Sequence, residues 1–438
     1  MSDVALRPWL ARIPDGWAVQ RIKHVARFAG GGTPSKAVDD YWGGHIPWVS
    51  PKDMKVFRIT ETQDYITDAA VANSACSSIP AGSALMVVRS GILQHTIPVA
   101  INDLPVCLNQ DMKALIPEAQ ILSEYLAYLV QGLNDRFLEE WVKQGATVES
   151  IDHESMANTQ IPVPPKDQQR AIVAYLDVET ARIDGLISDK KALLKTLKEM
   201  RQSTVAESIT KGVAVERRLR KSGISWVSEI PSDWRSISLK RLVRVSGGHT
   251  PSTGNPAYWD GAIPWFSPKD MKADELFDSI DHVTELAVQE SGLQVIEPGT
   301  TMIVVRGMIL AHTFPVCVAQ VSATINQDMK ALIPDEDVDP SYLPWLLRGA
   351  SALFLSLTEQ SAHGTMALRT DRFMSERLPI PPLDEQLEIV EHLEAERRRI
   401  DALVGQVNQE LDLLKELRSA TITDAVLGRI DVRDHMKN

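Results

Sequence analysis

The chain contains itself twice. The stretch from Gly30 to Lys55, with its GGTPS, YW and IPWVSPKDMK segments, returns from Gly247 to Lys272 as GGHTPS, YW and IPWFSPKDMK, at an offset of 217 residues. Over residues 29–55 and 246–272, 17 of 27 positions are identical without a gap. The same offset aligns VVR, IL, HT and P of residues 87–98 with 304–315, and NQDMKALIP at 109–117 with 326–334. It also aligns IPVPPKDQQ from Ile161 with LPIPPLDEQ from Leu378, Ile183-Asp184 with Ile400-Asp401, and IPDGW at 13–17 with IPSDW at 230–234. Twice this offset nearly exhausts the 438 residues, so whatever one half folds into, the other must fold into as well. Solenoid units run to only about 20–50 residues, so a period this long marks a duplicated domain. The length, beyond what one core usually supports, agrees.

Each copy divides by composition. Its first part is rich in short β-branched runs and Gly/Pro turns and reads as mixed α/β. LMVVRS and MIVVRG are apolar runs bounded by turn residues, as in buried strands, whereas SEYLAYLVQGL and PSYLPWLLRGA read as helices. In the second part, after Pro164-Pro165, Asp167 can cap a helix on which Ile172, Leu176, Ile183, Ile187, Leu194 and Leu197 recur at spacings of seven, four and three until Gly212. After Pro381-Pro382 come Asp384, Ile389, Leu393, Ile400, Val404, Leu411 and Leu414, with Gly428 beyond them. About 45 residues at ~1.5 Å each make a rod of roughly 67 Å, too long to bury its stripe against one small domain. The two helices are therefore expected to pack on each other as an antiparallel coiled coil. The fold class is α/β, with two tandem mixed α/β domains each followed by a long helix. The expected boundaries are 1–162, 163–221, 222–379 and 380–438.

Hydrophobic residues at 44% and charged residues at 24% are ordinary for a folded protein. The three cysteines, Cys76, Cys107 and Cys317, form no CxxC pair, which argues against a disulfide framework or a cysteine zinc site. The N-terminal segment lacks a basic stretch followed by an apolar core, and no run approaches ~20 apolar residues, so no membrane partner and a cytoplasmic location are expected. The net charge of −12 speaks against nucleic acid only superficially. Up to Lys221 there are 26 basic and 26 acidic residues, and the remainder has 20 and 32, so all of the excess lies in the second half. Much of it falls in one helix (Asp384, Glu385, Glu388, Glu391, Glu394, Glu396) and one loop (Asp335, Glu336, Asp337, Asp339). A local basic surface stays open.

This alternation of globular domain and long helix resembles the specificity subunit of type I restriction-modification systems across essentially the whole chain. The residues that carry the resemblance are the GGTPS, YW, G, IPW signature (Gly31 to Trp48; Gly248 to Trp265), Asn109-Gln110, Asn326-Gln327, and the PPxxEQ helix entry from Pro381 to Gln386. Gln168 replaces the expected Glu in the first copy, a change read as affecting only a helix start. The resemblance implies two target-recognition domains, each reading one half of a bipartite site in double-stranded DNA. It also implies helices that act as spacer and dock two methyltransferase subunits, to which two restriction (translocase) subunits add, and no catalytic centre in the chain itself.

Two motifs imitate catalysis. Phe28 to Gly32 looks like the FxGxG loop that binds S-adenosylmethionine, but Val245 to His249 loses the pattern and no NPPY or DPPY follows. The glycines read better as a turn or a close backbone approach. DxK occurs at Asp53-Lys55, Asp111-Lys113, Asp270-Lys272 and Asp328-Lys330, yet a metal-dependent nuclease needs a further placed carboxylate for Mg²⁺, and the sequence offers no specific candidate. There is no GxxxxGK[ST] phosphate loop. No cofactor and no metal are expected. On the residues alone, a fused methyltransferase or nuclease is disfavoured, while a stand-alone bipartite DNA-binding regulator remains the alternative.

Candidate DNA contacts are polar residues present in both copies at turns. They are Ser50, Lys52, Lys55, Arg89, His95, Thr96, Asn109, Gln110 and Lys113, with their counterparts Ser267, Lys269, Lys272, Arg306, His312, Thr313, Asn326, Gln327 and Lys330. Arg pairs bidentately with guanine and Asn or Gln with adenine, while Lys more often neutralises phosphate. Arg89 and Arg306, each after an apolar strand, are the leading base readers. For the histidines a structural hydrogen bond is favoured, and for the asparagines and glutamines backbone capping competes evenly with base reading. Trp48 and Trp265 read as core. Arg217, Arg218, Arg220 and Lys221 read as a solvated linker, and Trp9 and Trp226 as docking the start of each copy.

Overall fold

Both faces of the central strand in each copy are covered, which is why it reads as an unbroken apolar run rather than an alternating one. In Ala84–Val87, Ala84 and Met86 pack with the helices on one side, while Leu85 and Val87 pack with Val49, Ile59 and Ala100 on the other. The computed structural model describes residues 8–10, 12–143, 148–214, 216–360 and 364–432; residues 433–438 of the expected C-terminal tail lie outside them. It divides into two units, residues 1–191 with 408–438, and residues 192–407.

In the first unit a five-stranded sheet has the order Ala26–Gly30, Met112–Pro117, Ala84–Val87, Val99–Asn102, Arg58–Ile59. All its pairings are antiparallel except the last. A three-stranded sheet of Asp64–Ile66, Trp42–Val49 and Cys107–Leu108 lies beside it in sequence. Ala18–Arg21 pairs with Gln160–Val163, drawing the ends of the domain together. Helices Ser123–Gly132 and Asn134–Trp141 cover one sheet face, and Trp9 is buried edge-on to Phe137.

The second unit repeats this order with Val243–Gly247, Met329–Pro334, Thr301–Val304, Val316–Ala319 and Glu275–Leu276. Among the described residues it also pairs Thr358–Gln360 with Met366–Leu368, and it is preceded by an added hairpin. The basic stretch that reads as a solvated linker is a β-hairpin, Leu219–Ile224 with Val227–Pro231, because Arg217 and Arg220 are spent on internal partners. Trp226, at its turn, donates its indole N–H to Arg377 O at 3.2 Å.

The long helices run Lys166–Lys211 and Leu383–Val426, and each contributes to both units. Gly212 (φ +76°) and Gly428 (φ +66°) follow their ends in the left-handed conformation that suits a helix stop. The helices pack antiparallel. In the first unit Asp184 meets Arg418 and Lys190 meets Glu410, one number rising as the other falls. In the second unit Arg201 meets Asp401. Each globular part rests on the start of one helix and the end of the other, through Ile172, Leu176, Ile422 and Val426 in the first unit and Ile389, Leu393, Val205 and Ile209 in the second. Those sets correspond at the 217-residue offset. Each such buried aliphatic side chain contributes about 1.5–3 kcal/mol. The close approach is permitted by Gly132 and Gly349, where a Cβ would meet Ile422 Cγ2 at 3.0 Å and Ile209 Cγ1 at 2.5 Å respectively.

Candidate nucleic-acid interface

At Gly30, paired with Lys113, and at Gly247, paired with Lys330, the edge strand ends and the glycine loop begins. A Cβ on Gly31 would stand 2.0 Å from the carbonyl oxygen of Asn109, and one on Gly248 would stand 1.9 Å from that of Asn326. No side chain fits there. Gly32 donates its N–H to Leu108 O (2.8 Å) and accepts from the Trp48 indole (3.0 Å). In the second copy His249 does the same with Ile325 O and Trp265. Trp42 lies edge-on to Trp48 at 5.2 Å and binds Ser35 O, and Trp259 repeats this with Trp265 and Ser252 O. The signature is thus a loop fastened by two tryptophans, and its Gly31 and Gly248 serve close packing against the Asn-Gln turn.

The four DxK aspartates are turn residues. Asp53 accepts from Ser50 N (2.8 Å), Ser50 Oγ (3.0 Å) and Gln63 N (2.9 Å); Asp270 accepts from Ser267 N (2.8 Å), Ser267 Oγ (2.9 Å) and Ile280 N (2.9 Å). Asn109 Oδ1 accepts from Asp111 N and Asn326 Oδ1 from Asp328 N. Asp111 in turn orients Arg89 through its Nε at 2.8 Å, while Arg306 stands 3.8 Å from Asp328. Thr33 donates to Gln110 and Thr250 to Gln327, closing the glycine loop onto the Asn-Gln turn.

Burial sorts the candidates. Ser50, Ser267, Asn109 and Asn326 are buried and committed to turns. Lys52, Lys55, Lys269, Lys272, Gln110 and Gln327 are exposed on those same turns. Arg89 and Arg306 are exposed over 56% and 64% of their side chains, and the Arg89 bond through Nε leaves both terminal nitrogens for another partner. His95, Thr96, His312 and Thr313 are exposed at the ends of short 3₁₀ turns; the histidine N–H groups close the turn onto Ile92 O and Ile309 O, and Thr96 Oγ1 binds Asn134. Lys113 and Lys330 are half-buried on the sheet. Lys113 Nζ lies 3.1 Å from His153 Nδ1, whose ring stands edge-on to Phe28 at 4.9 Å. Burial first, then the Lys113 charge, hold His153 below the usual imidazole range, and burial lowers Lys113.

Thr33 and Thr250 escaped sequence reasoning although they repeat within GGTPS. His153 left no such signal, because Thr370 stands at the corresponding position.

Fold and loops together define a duplicated protein, each unit with a similar polar turn cluster beside a glycine loop and with parts of both long helices. Residues 14–196 and 231–413 each match the type I restriction modification DNA specificity domain, and the chain belongs to that family. It is similar to the EcoR124I/EcoR124II specificity subunit of Escherichia coli, 41% identical over 157 residues, which are 36% of this chain and 39% of that one. It is also similar to the MjaIX specificity subunit of Methanocaldococcus jannaschii, 27% identical over 292 residues and 64% of each chain. Both matches span less than two thirds of those relatives. The MjaVIII specificity subunit of the same organism is 22% identical over 97% of this chain and 95% of its own. Two solved structures share the fold at 18% identity. One, from work on complex assembly and conformational transition of the type I R-M system, covers 96% of this chain with a TM-score of 0.73. The other, the HsdS subunit from Thermoanaerobacter tengcongensis, covers 96% with a TM-score of 0.53. Among the described residues, no helix is long and apolar enough to cross a membrane.

Proposed function

We propose that this chain is the sequence-reading and scaffolding subunit of a type I restriction-modification complex, working in the cytoplasm without a catalytic centre of its own. Two target-recognition domains, residues 1–162 and 222–379, each read one half of a bipartite site in double-stranded DNA. The paired helices, within 163–221 and 380–438, set the spacing and dock two methyltransferase subunits, with two restriction subunits in the full complex. The observation that carries this reading is the division of labour within the repeat. Ser50, Asn109 and their counterparts build the turns, which present Lys52, Lys55, Arg89, Gln110 and their counterparts to solvent. Cations and amides on rigid turns suit phosphate contact and base reading respectively. His95, Thr96, Lys113, His312, Thr313 and Lys330 complete the proposed contact set.

Co-purification from cells carrying the whole system tests it. Recovery of methyltransferase subunits with the chain, and site-specific methylation only when both are present, is the expected result. Recovery of the chain alone on DNA would favour the stand-alone regulator, and methyl transfer by the pure chain would overturn the non-catalytic reading.

A further inference from the structure

The second unit carries a basic cleft away from its glycine loop. It is lined by Arg220 of the added hairpin, Arg235 and Arg377 of the terminal strand pair, and Lys240 and Arg241 of the turn Leu239–Arg241, with the hydroxyls of Ser236 and Ser375 between them. Its one carboxylate, Asp337, is taken by Arg235 at 2.6 Å. Arg220 is held by the carbonyls of Ser232, Lys221 and Trp234, and Arg377 by the carbonyl and hydroxyl of Ser236. Carbonyls fix a guanidinium in place without neutralising it. Asp335, Glu336 and Asp339 of the neighbouring loop lie outside the lining, to which that loop contributes Asp337. The first copy lacks the cluster. At the 217-residue offset Arg235, Arg241 and Arg377 correspond to Ala18, His24 and Gln160, and only Lys240 finds a cation, Lys23.

We infer that this cleft binds the sugar-phosphate backbone of DNA flanking the half-site read by the second unit, an addition that rests on the function proposed above. Its lining of Arg, Lys and Ser is the set that contacts phosphate oxygens. A protein-docking surface would be expected to offer several aromatic or aliphatic anchors, and here Trp234 is buried and Ile237, partly buried, is the one aliphatic side chain in the lining. Position supports it too. The strand Val243–Gly247 starts two residues after Arg241 and ends at the glycine loop. Five residues at ~3.3 Å give ~17 Å, or about five base pairs at 3.4 Å, between the cleft and the bases read.

The test uses the complex of the full chain with its methyltransferase subunits and the double variant Lys240→Gln/Arg241→Gln. Both side chains are exposed on a short turn whose buried Leu239 is left intact. Binding to duplex DNA with and without the target is measured at several salt concentrations, with phosphate-ethylation interference on the target. The double variant is expected to lower the slope of log K against log salt by about 2. It should also abolish interference at phosphates about five base pairs from one half-site only, and leave the methylated sequence unchanged. Lys23→Gln should change none of these. An unchanged slope and footprint would overturn the inference, as would loss of subunit association, which would make the cleft a protein-docking surface. A wild-type complex that binds no target DNA would instead refute the function proposed above, and the inference with it.

Discussion

Trp234 donates its indole N–H to Glu385 Oε2 at 2.9 Å, and Trp17 makes the same bond to Gln168 Oε1 at 2.7 Å. The acceptors differ because their surroundings do. Glu385 also holds Arg217, which follows the first long helix, whereas Gln168 shares a pocket wall with Asp431, which follows the second. The carboxylate holds a cation as well as the indole in one unit, and in the other the amide accepts the same indole bond. The Gln for Glu exchange thus keeps the tryptophan bond, and is not merely a helix-start effect.

Glu385→Gln should keep the Trp234 bond and lose the ion pair, whose side chains are only 16% and 13% exposed, at about 1–3 kcal/mol; Glu385→Ala should be worse. Gln168→Ala should weaken the first unit by removing the acceptor of the Trp17 indole. Two units need not unfold as one transition, so hydrogen exchange is the suitable readout, over Leu219–Pro231 for Glu385 and over 160–176 for Gln168. Unchanged protection in Gln168→Ala would contradict a stabilising role for the Trp17 bond.

Gln169 and Gln386, fully buried at the helix entries, tie each helix to a loop of its globular part. Gln169 accepts from Leu122 N and donates to Gln120 O and Pro164 O; Gln386 accepts from Asp339 N and donates to Asp337 O and Pro381 O. Replacing either by Leu strands three backbone groups, so a loss of about 2–4 kcal/mol is expected. Urea titration followed by limited proteolysis checks this; midpoints within error of wild type would show that water substitutes for the amide.

The two half-sites should be the same or nearly the same sequence on opposite strands, because like side chains on like backbones read like bases. Arg89 and Arg306 occupy equivalent strand ends, and the glycine loops share their tryptophan and Thr–Gln bonds. Residues 56–78 and 273–295 share only 5 of 23 identities, and Arg58, paired with Asp103 and Glu124, aligns with Glu275, so one or two positions should differ. Long-read methylation mapping decides. Half-sites without inverted resemblance would mean that the divergent segments do the reading.

His153 gives the first unit a pH response that Thr370 denies the second. Its folded pKa is depressed, so the stability it contributes is present above the unfolded value near 6.5 and is lost as pH falls below it. Between pH 7.5 and 5.5 the wild type should lose stability relative to His153→Thr, measured as the difference in Tm across the series. A difference independent of pH would remove the imidazole from the account.

The repeat by itself determined most of the architecture. Two copies at one offset demand two similar domains. An aliphatic stripe running from Ile172 to Leu197, and again from Ile389 to Leu414, demands a partner as long as itself. Local pattern is enough for such features because helices and strands bury faces at fixed periods. Val407, buried but outside the stripe as read, shows where a period followed by eye drifts. What remained for the tertiary structure was which polar residues are spent internally. Asn109 and Gln110 are adjacent and equally repeated, yet Asn109 is buried under the glycine loop and Gln110 lies on its surface. Arg217 reads as solvated linker until Glu385, far along the chain, comes within reach. A side chain's availability depends on partners brought close by long-range pairing, and no local spacing records those partners.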